Sequence, residues 1–353
     1  MTRAIMPRIR ALLSFACVVA LSLGPVSRAF AQGDSVKVTP LGSHPGELCA
    51  RDRATIFEDP TGVRILYDPG QSVTGGDDAR LGRIDAVLVS HAHGDHIGDM
   101  RLKAVSEGTC ADVPVLSAAP NSTAAEIAAA KNAAIVMVGP LATFVGKKVE
   151  AIKGKPTPMC PTTAGDLVSP IVATCLAPAM IGGTRTLRVS AAAKPVEIIV
   201  VPAAHDSTVP PALLAESTRK ALEADGVGFQ LGPPTGYIIR FTNGLVAYLS
   251  GDTGVHAEMR TVEHDLYRVN LMQLNFGVTA LSPQAAAYVA DTLVEPAAVI
   301  LSHVNEAATE NGKLRPSTRS AAFVALVKGR PLYPALSGRT LEFDGSGKCV
   351  AGC

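Results

Sequence analysis

The chain has 353 residues, of which 47% are hydrophobic, and its 32 basic residues nearly balance 31 acidic ones. This composition can bury a large core, and it excludes both a strongly basic nucleic-acid-binding protein and an acidic disordered chain. Aromatic residues make up only 4% of the chain and include no tryptophan, which argues against a surface that stacks on bases. We therefore expect no nucleic-acid partner, and the composition leaves the oligomeric state open.

The first 31 residues have the pattern of a cleaved secretory signal peptide. Three arginines precede an apolar segment at 11–23, and Ala29, Phe30 and Ala31 then form a small-x-small cleavage site. A membrane anchor is the alternative, but an apolar segment of 13 residues is shorter than the about 20 that a spanning helix needs. We expect a mature chain of residues 32–353, periplasmic or secreted, folded as one domain and without a stable membrane span.

Strand and helix patterns alternate along this mature chain. β-branched runs between turn residues predict strands, and capped, alanine-rich segments predict helices. In chain order we expect strands at 36–43, 63–70 and 84–90, a helix at 122–134, strands at 134–138, 186–190 and 196–201, a helix at 211–226, strands at 236–241 and 245–250, a helix at 282–293, a strand at 297–301, a helix at 317–329 and a strand at 339–343. Such alternation indicates an α/β or a layered α+β fold.

Two segments fall outside this alternation. Residues 154–184 are rich in Pro, Gly and Thr and contain two cysteines, so we expect an insertion or a lid there. Residues 345–353 form a cysteine-containing tail.

Six cysteines remain once the signal segment and its Cys17 are removed. An even number in an exported chain favours disulfides, although six cysteines allow 15 pairings. Short loops favour Cys160–Cys175 and Cys349–Cys353, which leaves Cys49–Cys110. Free buried thiols are the alternative, and none of the six has the CxxC spacing of a zinc knuckle or a redox motif.

Four apolar strands run directly into residues that can bind a metal ion. The cluster HAHGDH follows the strand at 84–90, and one histidine or aspartate follows each of three later strands. Since functional sites in layered folds lie beyond the carboxyl ends of strands, we expect these side chains to converge. The seven candidate ligands are His91, His93, Asp95, His96, His205, Asp252 and His303.

The residue types suit borderline and hard divalent ions, with Zn favoured and Mn or Fe as alternatives. Three imidazoles and a carboxylate within six residues of a buried strand would cost stability without a ligand. Asp252 is placed to bridge two ions, which when about 3.5–4 Å apart ionise a water between them. His44, His256 and His264 lack ligand spacing and are expected to be ordinary hydrogen-bonding residues. Asp68 is expected to form a turn, with indirect support of a ligand as the alternative.

The cluster HAHGDH resembles the signature of the metallo-β-lactamase superfamily, and HDS, SGDTG and LSHVNE follow in the order of its later ligands. Within the superfamily, HAHGDHIGDM, SGDTG and SPQAAAYVADTL…VILSH look most similar to the ascorbate-6-phosphate lactonase-like group. The resemblance implies an α+β fold, a four-layer αββα sandwich with two mixed sheets and the metal site at one rim.

The resemblance also implies how the ligands divide. His91, His93 and His205 would bind one ion, Asp95, His96 and His303 would bind a second, and Asp252 would bridge them. Asp95 is further expected to orient the leaving group or to accept a proton.

These features together predict an exported dinuclear metal-dependent hydrolase. A hydroxide bridging the two ions would cleave an ester, lactone or phosphodiester bond in a small-molecule or lipid-like substrate, with Asp95 and Asp252 as the catalytic residues. A periplasmic metallo-β-lactamase and a non-hydrolytic metal-binding member of the fold are the alternatives. Asp252 argues against a β-lactamase, because the β-lactamases of this superfamily generally lack a bridging aspartate in a GDTG context.

Overall fold

The computed structural model describes residues 1–2 and 34–353. Apart from Met1 and Thr2, the predicted signal peptide and its cleavage site lie outside the described residues. Residues 34–353 form an α+β fold with two large sheets, which confirms the predicted fold class. Among the described helices, none has both the length and the hydropathy needed to cross a membrane.

The described strands are short, and several of them carry two or more buried β-branched residues, which favour extended backbone. In chain order they are β1 Val36–Pro40, β2 Thr55–Glu58, β3 Arg64–Tyr67, β4 Ala86–Leu88, β5 Met100–Leu102, β6 Val115–Ser117, β7 Ala134–Ile135, β8 Leu167–Val168, β9 Cys175–Leu176, β10 Thr184–Arg188, β11 Val196–Pro202, β12 Thr235–Arg240, β13 Val246–Leu249, β14 Leu271–Asn275, β15 Ala298–Ser302, β16 Thr309–Glu310, β17 Lys313–Leu314, β18 Leu332–Pro334, β19 Leu341–Phe343 and β20 Cys349–Ala351.

Three of the six α-helices in the described chain begin at a side-chain N-cap. Ser122, Ser282 and Thr318 each accept a hydrogen bond from a backbone N–H of the first helical turn that follows them. The α-helices are α1 Gly94–Ile97, α2 Thr123–Lys131, α3 Gly139–Lys153, α4 Glu216–Asp225, α5 Pro283–Tyr288 and α6 Arg319–Leu326. Two π-helical segments, Met259–Leu266 and Val289–Val294, and a 3₁₀ turn, Pro211–Leu213, complete the helical structure.

Two eight-stranded mixed sheets form the core of the described chain. The first has the order β20-β19-β1-β2-β3-β4-β7-β9, and the second has the order β18-β15-β14-β13-β12-β11-β10-β8. In the first, β3, β4, β7 and β9 are parallel neighbours. In the second, β13, β14, β15 and β18 are parallel, whereas β10 to β13 alternate in direction.

Aromatic side chains join the inner faces of the two sheets. Phe57 on β2 stacks on Phe241 just after β12, with ring centroids 6.1 Å apart. Tyr67 on β3 meets the edge of Tyr237 on β12, and the Tyr237 hydroxyl donates to the carbonyl of Val89 at 2.8 Å. Each such ring is fully buried and contributes roughly 1.5–3 kcal/mol. The two sheets are therefore held in register directly beneath the segment that follows β4.

The chain direction places four strand ends at one edge of this core. β13 and β15 run in the same direction, and β11 joins them because two antiparallel pairings separate it from β13. The segments after β11, β13 and β15 therefore leave the second sheet on the same side. Contacts across the interface bring the segment after β4 of the first sheet to that side as well: the Ser90 carbonyl accepts from the Thr235 amide at 2.9 Å. The fold thus gathers the four segments that carry the candidate ligands.

Residues 154–184 contribute an edge strand to each large sheet. β9 pairs with β7 in the first, and β8 pairs with β10 in the second. Leu167 and Cys175 are buried in the core, so this segment is partly integrated into both sheets.

The six cysteines outside the signal segment are paired in the structure. The disulfides are Cys49–Cys110, Cys160–Cys175 and Cys349–Cys353, the combination that the loop lengths favoured.

Candidate metal centre

The cluster after β4 enters a single tight helical turn. His93 precedes α1, Asp95 and His96 lie within it, and the chain leaves it through Gly98, whose φ is +82°. Gly70 packs against this turn: its amide donates to the His96 carbonyl at 3.0 Å, and a Cβ on it would lie 2.0 Å from the Asp95 carbonyl oxygen. Only glycine fits there, so the Pro-Gly turn after β3 sets the position of the cluster.

All seven candidate ligands come together in three overlapping groups. Within each group, one ligand atom of every member lies within 4.8 Å of the others. The first group lies toward the surface, since two of its histidines are only partly buried, whereas all three members of the second are buried. The groups are His91, His93 and His205, then His91, His96 and Asp252, and then Asp95, His96 and His303.

The third group contains short distances between ligand atoms. His96 Nε2 lies 3.0 Å from His303 Nε2, which lies 3.1 Å from Asp95 Oδ2. Asp252 approaches from the side, with its two oxygens 3.5 Å from His96 Nε2 and 3.4 Å from His303 Nε2. The Asn275 amide donates to Asp252 Oδ1 at 3.2 Å and orients this carboxylate. Asp252 thus belongs with His91 and His96 in the middle group, between the two outer sets.

Asp68 and Ser90 orient the buried histidines from behind. Asp68 Oδ2 accepts from His96 Nδ1 and from the Ser90 hydroxyl, both at 2.8 Å, while Oδ1 accepts from the Ser90 amide at 2.8 Å. Since a carboxylate can only accept, the neutral form of His96 carries its proton on Nδ1 and keeps the Nε2 lone pair free for a metal ion. Ser90, whose proton points to Asp68, accepts from His91 Nδ1 at 3.0 Å, which leaves His91 in the same tautomer. Asp68 is therefore more than a turn former.

Among the candidate ligands, two buried imidazole nitrogens have no hydrogen-bond partner within the described residues: His91 Nε2 and His303 Nδ1. A buried, unpaired polar atom costs about 1–3 kcal/mol. His91 belongs to two of the ligand groups. Its unpaired Nε2 therefore has a lone pair available to bind a cation. The donor set of imidazoles and carboxylates also suits Zn, Mn or Fe. The residues therefore fit a divalent metal ion.

The electrostatics of the centre point the same way. Burial and the neighbouring His96 hold the pKa of His91 well below its usual value, so this imidazole stays neutral. Burial alone would raise the pKa of Asp252, but His303 and His96 more than offset it and hold that pKa well below the usual range. Burial would likewise raise the pKa of Asp95, but its neighbours, His96 above all, hold that pKa well below the usual value. Burial would lower the pKa of His96, but Asp252, Asp68 and Asp95 outweigh it and raise that pKa well above its usual value. The ionised carboxylates therefore favour a positive charge at this place, which a proton or a metal ion would supply.

His93 is supported from the solvent side by a residue that the sequence analysis did not single out. Its Nε2 donates to Asp206 Oδ1 at 2.7 Å, which leaves the lone pair on Nδ1. Burial would raise the pKa of Asp206, but hydrogen bonds from His93 and the Thr208 amide lower it to about 2. Asp206 directly follows His205 in the chain, and this adjacency was the only sequence signal for it.

The three histidines outside the cluster each hydrogen-bond a neighbour in the chain and belong to none of the ligand groups. His44 Nδ1 lies 3.0 Å from the Ser43 hydroxyl, and His256 and His264 pair with adjacent carboxylates of Glu258 and Asp265.

Comparison with known proteins is consistent with this geometry. Residues 63–150, which include β3, β4 and the HAHGDH cluster, match the family model described as a beta-lactamase superfamily domain. A UPF0173 metal-dependent hydrolase of Polynucleobacter asymbioticus is 28% identical over 301 residues, which cover 81% of this chain and 82% of the relative. A UPF0173 metal-dependent hydrolase of Caldivirga maquilingensis is 26% identical over 69% of this chain and 75% of its own length.

Among solved structures, Igni18, a metallo hydrolase from Ignicoccus hospitalis, superposes with a TM-score of 0.51 at 23% identity, covering 88% of this chain and 99% of that one. This likeness supports the fold, and the match to the Polynucleobacter relative spans 81% of this chain, well beyond the domain at 63–150. Together the comparisons support a metal-dependent hydrolase of the metallo-β-lactamase superfamily.

Proposed function

We propose that this protein is an exported, dinuclear metal-dependent hydrolase that cleaves an ester, lactone or phosphodiester bond. The observation that carries the proposal is the overlap of the three ligand groups. His91 belongs to the first and second, and His96 belongs to the second and third, so the group with Asp252 lies between two outer sets. A single-ion site needs three or four protein ligands, and seven convergent donors exceed that number.

In this proposal His91, His93 and His205 would hold one ion, Asp95, His96 and His303 would hold the other, and Asp252 would be shared between them. Ions bound there would act as Lewis acids that lower the pKa of a water and polarise a carbonyl or phosphoryl oxygen. The shared role of Asp252 rests on its burial and on its grouping with His91 of the first set and His96 of the second. This ligand division is the one that the superfamily resemblance implies.

The chain's own residues supply orientation and proton transfer. Asp68 and Ser90 fix the tautomers of two buried imidazoles, so their lone pairs face the centre without reorganisation. Asp95 keeps a partly exposed side chain, 31% accessible, and is the ionisable group of the third set that a substrate can reach. An ionised carboxylate there can accept a proton during attack or orient the departing oxygen.

The three disulfides support export, because disulfides persist in oxidising compartments such as the periplasm. The same compartment would expose the site to small-molecule or lipid-like substrates from outside the cytoplasm. Detection of the chain in a periplasmic fraction, with its N-terminus near residue 32, would test this part of the proposal. A chain confined to the cytoplasm with residues 1–31 retained would contradict it.

The proposal is tested by metal analysis and turnover of the purified mature chain. We expect about two equivalents of Zn, Mn or Fe and hydrolysis of at least one of p-nitrophenyl esters, bis-p-nitrophenyl phosphate or a lactone. His93→Ala and Asp252→Ala should abolish turnover, whereas His264→Ala, which changes a histidine outside the cluster, should not. A chain with no retained metal and no activity after reconstitution would refute the proposal. Turnover of nitrocefin alone would instead favour a β-lactamase.

A further inference from the structure

Arg53 is a buried arginine that touches the candidate centre and has no place in the ligand scheme. Its side chain is 5% accessible, and it lies four residues after Cys49, which a disulfide joins to Cys110. NH1 donates to the carbonyls of Ala50 and Asp52 at 3.0 and 3.1 Å. These bonds hold the guanidinium in one orientation and leave Nε and NH2 for other partners.

Those two nitrogens reach both loops of the third ligand group. Nε and NH2 donate to Asp95 Oδ2 at 3.3 and 3.2 Å, and NH2 also donates to the Asn305 side-chain oxygen at 2.7 Å. Asn305 lies two residues after His303, and both have positive φ, +55° and +51°. One guanidinium thus connects the turn of Asp95 to the loop that carries His303.

Asp95 Oδ2 receives two kinds of contact at once. Besides Arg53, His303 Nε2 lies 3.1 Å from the same oxygen. A carboxylate free to rotate would exchange its two oxygens, whereas contacts from two sides hold Oδ2 in place and thereby fix Oδ1. The planar fork of arginine suits such a task, because it presents several donors in a rigid geometry that lysine lacks.

We propose that Arg53 is a positioning residue that fixes the Asp95 carboxylate and ties the Asp95 and His303 loops together for metal binding. It acts through Asp95 and Asn305, since neither the ion nor the reacting atoms would need to touch it. Outer-shell partners of metal ligands typically contribute about 10- to 100-fold in metal affinity or activity. The inference rests on the proposed function, because it requires an ion held by Asp95.

The test compares Arg53→Met, which removes the charge, with Arg53→Lys, which keeps the charge and loses the fork. Metal retained per chain is measured after dialysis against a graded series of chelator concentrations, alongside kcat, KM and thermal unfolding. We expect about 10- to 100-fold weaker retention of one metal equivalent for Arg53→Met. Arg53→Lys should be intermediate, and kcat should fall more than KM rises. Arg83→Lys is the matched control, since Arg83 pairs with the buried Asp85 at the opposite end of β4, and it should retain metal as the wild type does.

A second variant guards against misfolding of the first. Asn305 is exposed, and Asn305→Gly keeps a residue that tolerates positive φ while removing the acceptor. It should weaken retention of the same equivalent by a smaller factor. If Arg53→Met and Asn305→Gly both retained metal as the wild type does, and only their melting temperatures fell, Arg53 would have a purely structural role. That result would overturn the inference. A wild-type chain that holds no metal would instead overturn the proposed function and this inference with it.

Discussion

Asp68→Asn should separate the orientation of a ligand from the ligand itself. Asp68 is buried, its φ is +40°, and its carboxylate accepts from Ser90 and from His96 Nδ1. Asparagine tolerates this backbone conformation and has nearly the same shape. Its oxygen can still accept from the Ser90 amide, but its NH2 group then faces His96 Nδ1 and cannot accept a proton from it.

The expected consequence is a reversed tautomer. His96 would then accept on Nδ1 and carry its proton on Nε2, the nitrogen that lies 3.0 Å from His303 and 3.5 Å from Asp252. That proton blocks the lone pair offered to a cation, so metal affinity should fall about 10- to 100-fold, which is about 1.4–2.7 kcal/mol. At saturating metal, the free energy of unfolding that the ion contributes should fall by the same amount.

The assay is a titration with Zn followed by thermal unfolding, together with metal content after dialysis. Asp59→Asn is the matched control, since Asp59 is also buried and accepts from Thr242 and Thr61, but it touches no candidate ligand. It should lower stability with and without metal equally. Unchanged metal affinity in Asp68→Asn would refute the tautomer argument, even if the variant were less stable.

Two further predictions concern stability. Burial raises the pKa of Glu263 to about 7, and neither of its carboxylate oxygens has a hydrogen-bond partner among the described residues. Because the folded chain binds this proton more tightly than the unfolded chain, stability should fall as pH rises from about 4.5 to 7 and stay lower above that. Glu263→Gln should therefore be more stable than the wild type by roughly 1–3 kcal/mol at pH 8 and by little at pH 4, as measured by urea unfolding. Glu310→Gln, at an exposed position, should show no such difference. Equal effects of Glu263→Gln at the two pH values would contradict the burial argument. Gly70→Ala should lower the free energy of unfolding by well over the about 1–2 kcal/mol expected for a left-handed residue alone, because its Cβ would collide with the Asp95 carbonyl oxygen. Gly226→Ala is the control: Gly226 has φ +67° and open space around it, so this variant should lose only that smaller amount. Similar losses of stability in the two variants would show that the contact with Asp95 does not matter.

The sequence marks which residues could meet at the candidate centre, but it does not mark how they are oriented. Ligand types and their placement after strands are local properties, and the seven predicted residues are brought together in the structure. Orientation is different, because it depends on partners far along the chain. Arg53 meets Asp95 across 42 residues and Asn305 across 252, and no local pattern marks such a pair.

The missed elements have physical reasons of the same kind. β14 was not predicted because Gln273, a polar residue, lies in the middle of its short apolar segment. In the structure the Gln273 side-chain amide is buried and donates to the Thr55 hydroxyl on the opposite sheet at 3.1 Å. α3 was not predicted because Gly146 and several β-branched residues lower its helix propensity. Its apolar side instead packs against the first sheet, where Gly146 allows Leu176 of β9 to approach closely. Tertiary packing therefore overrides the local preference at both places.

Support around the centre is uneven, and this unevenness indicates where a substrate approaches. On the buried side, Asp68 and Ser90 hold His91 and His96, and Asn275 holds Asp252. Toward the surface, His93 has the single side-chain partner Asp206, and His205 is only partly buried. A rigid base under a more open rim would let a substrate enter without disturbing the candidate ligands beneath it. The His93–His205 side, with Asp206 at its margin, is therefore the side from which a scissile bond would reach the centre.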